Sequence, residues 1–248
     1  MKPQHSERKH SKFSASGSER WFNCPGSVEL SEGMPDKKSV YSIEGEQGHE
    51  VLETTTRAML LGKLPQFPAN TPRAMVQHAR NAAEFIIGRH KKAPGSEVLV
   101  ETRIHLGFIH PDMFGTFDSA VVHHFGTLDV FDYKYGLHTV SPKNNLQMCF
   151  YGVGLAAKFN WNFKRVRLWI IQPRARGYDG PVFWELSTLE LKGYVSQFEE
   201  AVERVLTEPD NFKEGSWCHF CKGKTKCPLK QQAKLDKAKA AFSMALLT

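Results

Sequence analysis

The sequence predicts an α/β protein with one sheet and helices on its faces. Three observations predict it. Val98, Val100, Thr102, Ile104 and Leu106 alternate without a break, which marks a strand. Two runs rich in Val, Phe and Leu flank the turn-like His124-Phe125-Gly126, so residues 115–134 read as a β-hairpin. Segments with helical spacing lie on either side. From His49 to Pro173 the order is helix, extra helix, three strands, helix, strand, which makes an α/β layer structure.

The elements follow in order. Residues 1–13 are polar and basic and read as a flexible tail. Ser16 or Ser18 can cap a short helix carrying Trp21 and Phe22. Pro25-Gly26 then bends the chain, and Val28 and Leu30 suggest that the helix resumes. In 45–62, Val51, Leu52, Thr55, Ala58 and Met59 recur at helical spacing, and Gly62 can end the segment. Residues 72–91 form a second amphipathic helix, closed by Pro94-Gly95. After the hairpin, 142–159 return to helix, with a stripe of Leu146, Cys149, Phe150, Val153 and Ala157. Val166, Leu168 and Ile170 give a strand that Pro173 stops, 182–187 a further one, and 189–206 a long helix. The division is a tail (1–13), one domain (14–230) and a basic C-terminal tail or helix (231–248).

Composition narrows the classes. With 248 residues, 41% hydrophobic and 24% charged, the chain can bury a full core as an ordinary soluble protein. No apolar stretch spans a bilayer, and Met1-Lys2-Pro3-Gln4-His5 does not open a signal-peptide core, so a cytoplasmic location without membrane contact is expected. The net charge of +7 and pI near 9.1 suit a polyanionic partner.

The hairpin carries the chemistry. Asp118 lies in its first arm, with Asp132 and Lys134 near the end of the second. Asp132 and Lys134 share a strand face with Leu128 and Val130, where charge is costly unless paired or bound to metal. Two carboxylates suit Mg²⁺ or Mn²⁺, and a lysine beside them suits positioning of a water or stabilisation of a phosphoryl transition state. Asp-x-Lys alone also describes a surface ion pair. Asp118 is harder to read so plainly, because Asp is disfavoured in mid-strand.

These residues form four motifs in order: Gly45-x-x-Gly48-His49-x-x-x-Glu53, Gly115-Thr116-Phe117-Asp118, Asp132-Tyr133-Lys134 and Gln147-x-x-x-Tyr151. In order and spacing the chain resembles the PD-(D/E)XK nuclease superfamily, above all RecB-like nucleases and the iron–sulfur exonucleases of CRISPR systems. It is also similar to a phage and prophage family of that type through Ser14-Ala15-Ser16, Arg20-Trp21 and Cys24-Pro25-Gly26-Ser27. The likeness spans 14 to about 230. It implies a restriction-endonuclease-like core, α-β-β-β-α-β, with a mixed central sheet. It implies His49, Asp118 and Asp132 as metal ligands, Lys134 as catalytic lysine, and Gln147 and Tyr151 near the scissile phosphate. The activity implied is a DNA exonuclease of phage recombination or replication in a bacterial host, with a single-strand annealing protein as a possible partner. A non-catalytic DNA-binding or assembly protein on the same fold is the alternative.

Cys218-x-x-Cys221-x₅-Cys227 places three thiols at metal-ligand spacing in a hydrophilic segment. Zinc completed by His219 or Cys24 is one reading. The resemblance implies the other, a [4Fe–4S] cluster with Cys24 as fourth ligand, joining the N- and C-terminal segments. Cys149, on an apolar stripe, reads as a core residue. Lys222, Lys224 and Lys226, within a run of eight lysines from 213 to 239, and Arg165, Arg167, Arg174 and Arg176 could track DNA phosphates. Trp161, Trp169 and Trp217 could stack on unpaired bases.

Overall fold

The computed structural model describes residues 11–35, 39–123 and 126–245. A five-stranded sheet runs β1 (Glu97–His105), β2 (Phe114–His123), β3 (Thr127–Tyr133), β4 (Arg165–Ile171) and β5 (Val182–Ser187), neighbours in sequence being neighbours in space. All pairs are antiparallel except β3 and β4. That parallel pair needs a crossover, which α5 (Leu146–Lys158) supplies. The remaining helices are α1 (Ser18–Asn23), α2 (Ser27–Leu30), α3 (Val40–Leu60), α4 (Arg73–Lys91), α6 (Thr188–Thr207) and α7 (Pro228–Ala245). The α-β-β-β-α-β order and mixed sheet expected from the sequence are those observed. Among the described residues no helix is long and apolar enough to cross a membrane.

Both faces of the sheet are covered. On one, Leu128, Val130, Val166 and Leu168 pack on Cys149, Phe150 and Val153 of α5, and Phe198 and Val202 of α6 join them. On the other, Phe131, Tyr133, Trp169 and Ile171 meet Val51 and Leu52 of α3 and Met75, Ala79 and Ile86 of α4. β3 is therefore buried over nearly its whole length. Cys149 is a core residue, and burial pushes its thiol up to about 12.

Three boundaries differ from expectation. α3 begins at Val40 rather than 45, because Ser39 and Ser42 cap each other, Ser42 N donating to Ser39 Oγ at 3.1 Å and Ser39 N to Ser42 Oγ at 2.9 Å. Its first turn exposes Val40, Tyr41 and Ile43, so burial periodicity gave no sign of it. α5 begins at Leu146 rather than 142, since the Asn145 side chain caps Met148 N at 3.1 Å. The expected tail also ends earlier than residue 13. Phe13 is fully buried, edge-on to Trp21, and Ser11 Oγ donates to the Asp112 carbonyl at 2.5 Å. Residues 1–10 of that tail, and His124-Phe125 of the turn, lie outside the described residues.

A buried charge network on the α4 face was not expected. The fully buried Asp129 takes Nε and Nη2 of Arg89 (3.1 and 2.9 Å) and Nε2 of His123 (2.8 Å) on one oxygen. Trp169 Nε1 donates to the other at 3.0 Å. Removing one member strands the rest in low dielectric. Asp129→Ala is expected to lower unfolding stability by about 3–5 kcal/mol in urea denaturation; a loss under 1 kcal/mol would show that the network is not a tie between α4 and the sheet.

Candidate active site

Strict alternation fails where the chemistry lies. Leu99 packs towards α5, and so do Ile104 and Leu106; on β2, Phe117 and Ala120 do the same. An odd and an even position share a face only if the strand slips by one. Glu101 marks the slip with φ +45°, a region unfavourable to a side chain. The pairing stays constant across it, Val100 opposite Ser119 and Thr102 opposite Phe117, so both strands slip together and Glu101 lies opposite Asp118. On the other side the β2–β3 ladder ends at Ser119 opposite Phe131, which puts Asp132 next along, across from Asp118. Glu101, Asp118 and Asp132 thus form a row of carboxylates across three adjacent strands. Like charges set opposite one another repel, so such a row calls for a cation.

His49 of α3 reaches this row. Its Nδ1 lies 2.8 Å from Asp118 Oδ1, while Tyr133 N donates to Asp118 Oδ2 at 2.6 Å. Gly48, just before, passes close to Tyr135: a Cβ there would lie 3.0 Å from the Tyr135 ring, so a larger residue would push α3 and His49 away. The donor atoms of His49, Glu101 and Asp118 all fall within 4.8 Å of one another. One imidazole and two carboxylates suit a divalent ion of the Mg²⁺ or Mn²⁺ kind.

Asp132 lies beside this trio rather than in it. Lys134 Nζ sits 2.9 Å from Asp132 Oδ2 and donates to Gln147 Oε1 at 2.8 Å. Gln147 Nε2 donates to Asp132 Oδ1 and to Tyr151 Oη, each at 3.1 Å. One amide on α5 therefore aligns the acid, the lysine and the tyrosine. Gly115 leaves room for this: a Cβ there would come within 2.9 Å of Ala15 and 3.3 Å of the Tyr151 ring.

Charge sets the protonation states. Burial works against the His49 imidazolium, but the Asp118 carboxylate, with Asp132 behind it, prevails and raises it to about 9. Burial would raise Asp118, yet His49 and the Tyr133 amide hold it below the usual carboxylate range. Asp132 is raised, by burial first and then by Asp118, against the pull of Lys134. Burial keeps the Tyr151 hydroxyl protonated, a donor at any physiological pH. The raised His49 value means that its pairing with Asp118 stabilises the metal-free protein fully below about 6.5 and is lost as pH rises through about 9. Thermal unfolding in EDTA is expected to lose stability across that window, and His49→Gln to flatten the loss; parallel pH profiles would remove the pair as its source.

The site includes a residue that sequence reasoning missed. Glu101 sits at a nominally outward position of β1, and only the slip turns it to the row. Glu53, in the first motif, instead bonds Arg57 at 2.8 Å one turn on. The four arginines separate. Arg165 and Arg167 start β4, while Asp132 pairs with Ile170, so Arg165 lies about 16 Å along the strand from the carboxylate row. Arg167 bonds Glu185 at 2.7 Å there. Arg174 follows the other end of β4, pairs with Glu44 at 2.6 Å and covers the Tyr135 ring, and Arg176 is exposed beyond it. Of the tryptophans, Trp169 is buried, Trp161 lies under Lys192, and Trp217 donates to the Lys213 carbonyl and faces the cysteines. Trp169 is thus withdrawn from solvent, while Trp161 and Trp217 are half-buried.

The four cysteines named from the sequence come together. Cys24, Cys218, Cys221 and Cys227 line one partly enclosed cavity of about 20 Å³. Close packing joins the two ends of the domain there: Gly26 N donates to the Asn211 carbonyl, and a Cβ on Gly26 would meet Phe212 at 2.7 Å. Lys213 N donates to Cys24 Sγ at 3.3 Å, and Ser31 Oγ lies 4.0 Å from Cys221 Sγ. Four thiols gathered in this way fit either a tetrahedral zinc or an iron–sulfur cluster.

A mixed five-stranded sheet in this order, with Asp118, Asp132-x-Lys134 and a helical Gln147/Tyr151 pair at one end, is the arrangement that the resemblance to the PD-(D/E)XK class implies. The chain belongs to the family described as "Protein of unknown function (DUF2800)", whose profile matches residues 10–248. Two solved structures are similar. One, from Eubacterium rectale and provisionally named an exonuclease, shares 10% identity over 84% of this chain and 88% of its own, with a TM-score of 0.41. The other, an alkaline exonuclease from Laribacter hongkongensis, shares 14% identity over 77% of this chain and 95% of its own, with a TM-score of 0.29.

Proposed function

We propose that the protein is a divalent-metal-dependent deoxyribonuclease that shortens DNA from its ends. The observation that carries this reading is the row of Glu101, Asp118 and Asp132 across three strands, with His49 on its middle member and Lys134 at its end. His49, Glu101 and Asp118 would hold Mg²⁺ or Mn²⁺, which supplies Lewis acidity at the attacked phosphate. Lys134, steadied by Asp132 and Gln147, presents its ammonium to the charge that develops on the phosphoryl oxygens. Tyr151 keeps its proton and can donate to the same group. Gln147 is a positioning residue, since it bonds three of these side chains and leaves them one arrangement.

The four cysteines, drawn from both ends of the domain into one cavity, would hold a [4Fe–4S] cluster, which the resemblance of the motifs favours over zinc. Exonuclease action in phage recombination or replication, beside a single-strand annealing protein, rests on the resemblance of the motifs. The test is a time course on end-labelled single- and double-stranded DNA with Mn²⁺, Mg²⁺ or EDTA, using anaerobically purified protein. Metal-dependent shortening from an end is expected and gives the polarity. Binding without cleavage under any metal would leave a DNA-binding protein on a nuclease fold.

A further inference from the structure

An aromatic ring more exposed than any of these tryptophans lies beside the cysteines. Phe220 keeps 83% of its surface in solvent, although it sits on a tight turn, Ser216–Phe220, between two of the clustered cysteines. Among the described residues its one aromatic neighbour is His219, edge-on at 4.8 Å. The next turn, Lys222–Thr225, and the residue after it bring Lys222, Lys224 and Lys226, all exposed. α7 continues the basic strip through Lys230, Lys234, Lys237 and Lys239. Residues 213–239 hold eight lysines against Glu214 and Asp236, a net +6 of the chain's +7.

A single exposed aromatic is ordinary; one held on a short turn amid the chain's main store of positive charge is a different matter. A protein partner would ask for apolar residues beside the ring, and here the next turn carries cations, with Lys224 Nζ donating to the carbonyl of His219 at 3.4 Å. Duplex DNA would meet the lysines, but its bases are already stacked and offer the ring no face. Unpaired nucleotides answer both features, phosphates to lysines and a base to the ring. We infer that the knuckle between Cys218 and Cys227 docks single-stranded DNA, with Phe220 stacking on one base and Lys224 and Lys226 holding its phosphates. This rests on the deoxyribonuclease reading for the choice of DNA, and adds the strand state that the protein grips away from the carboxylate row.

Fluorescence anisotropy with labelled dT20 and a blunt duplex, in EDTA on the full anaerobic protein, tests it. Phe220→Ala should weaken dT20 about tenfold and leave the duplex within twofold, while Phe220→Trp retains both. Lys224→Gln with Lys226→Gln should reduce the log–log salt slope for dT20 by about 1.4. Unchanged dT20 binding in Phe220→Ala overturns the inference. So does equal loss of both ligands, which would make Phe220 a structural residue. No cleavage enters the measurement. A wild type that degrades nothing, yet discriminates through Phe220, would retire the nuclease reading and leave the docking site in place.

Discussion

Asp132→Ala is expected to lower metal-dependent DNA cleavage by about three orders of magnitude or more while leaving the fold intact. The buried carboxylate holds Lys134 at 2.9 Å and accepts from Gln147, so its loss frees both side chains at once. Because burial and Asp118 already raise its protonation range, Asp132 is a strained member of the row. Removing one of three opposed acids relieves repulsion, and the melting temperature should stay level or rise. That combination separates a functional acid from a structural one. Residual activity above a tenth of wild type would take Asp132 out of the mechanism. Equal loss of activity and stability would make it part of the core.

Cys24→Ser should have the largest effect on stability. Cys24 and Cys218 are about 190 residues apart, and the proposed inorganic group, held by both, would close that loop in the chain for as long as it stays bound. Loop-closure entropy for such a span is worth about 5 kcal/mol, or about 10–20 °C in melting temperature for a domain of this size. Visible absorption of the purified protein should vanish with the thiol, and limited proteolysis should then cut first between 209 and 227. A colourless wild type carrying one zinc would overturn the cluster. A Cys24→Ser protein that keeps both colour and melting point would remove Cys24 from the ligand set.

Element type and order were legible because burial on both sheet faces leaves strong periodicities, as in Val166, Leu168 and Ile170 of β4. Element ends were not, because caps decide them: the serines at 39 and 42 start α3 on a turn whose apolar side chains stay exposed. Motif residues were legible where spacing binds them, His49, Asp118, Asp132, Lys134, Gln147 and Tyr151 all falling at one end of the sheet. Glu101 was hidden since its position obeys alternation up to the residue where alternation stops. Asp129 was hidden for another reason. An acid in a strand reads as surface, and its partners come from positions 89, 123 and 169, which no local pattern links.

The packing of residues 24–30 against 209–223 also sets a timetable. During synthesis the first of these segments leaves the ribosome about 10–40 s before the second, at 5–20 residues per second. Until then Gly26 and Leu30 have no Phe212 or Gly223 to cover them, although the carboxylate row between them has already been made. A nascent chain thus carries its acidic hairpin, complete at Tyr133, through roughly 76 further residues of synthesis with the domain still open at one end. Closure waits for residues 209–223, so emergence of that segment, and not of the carboxylate row, is the step that seals this end of the domain.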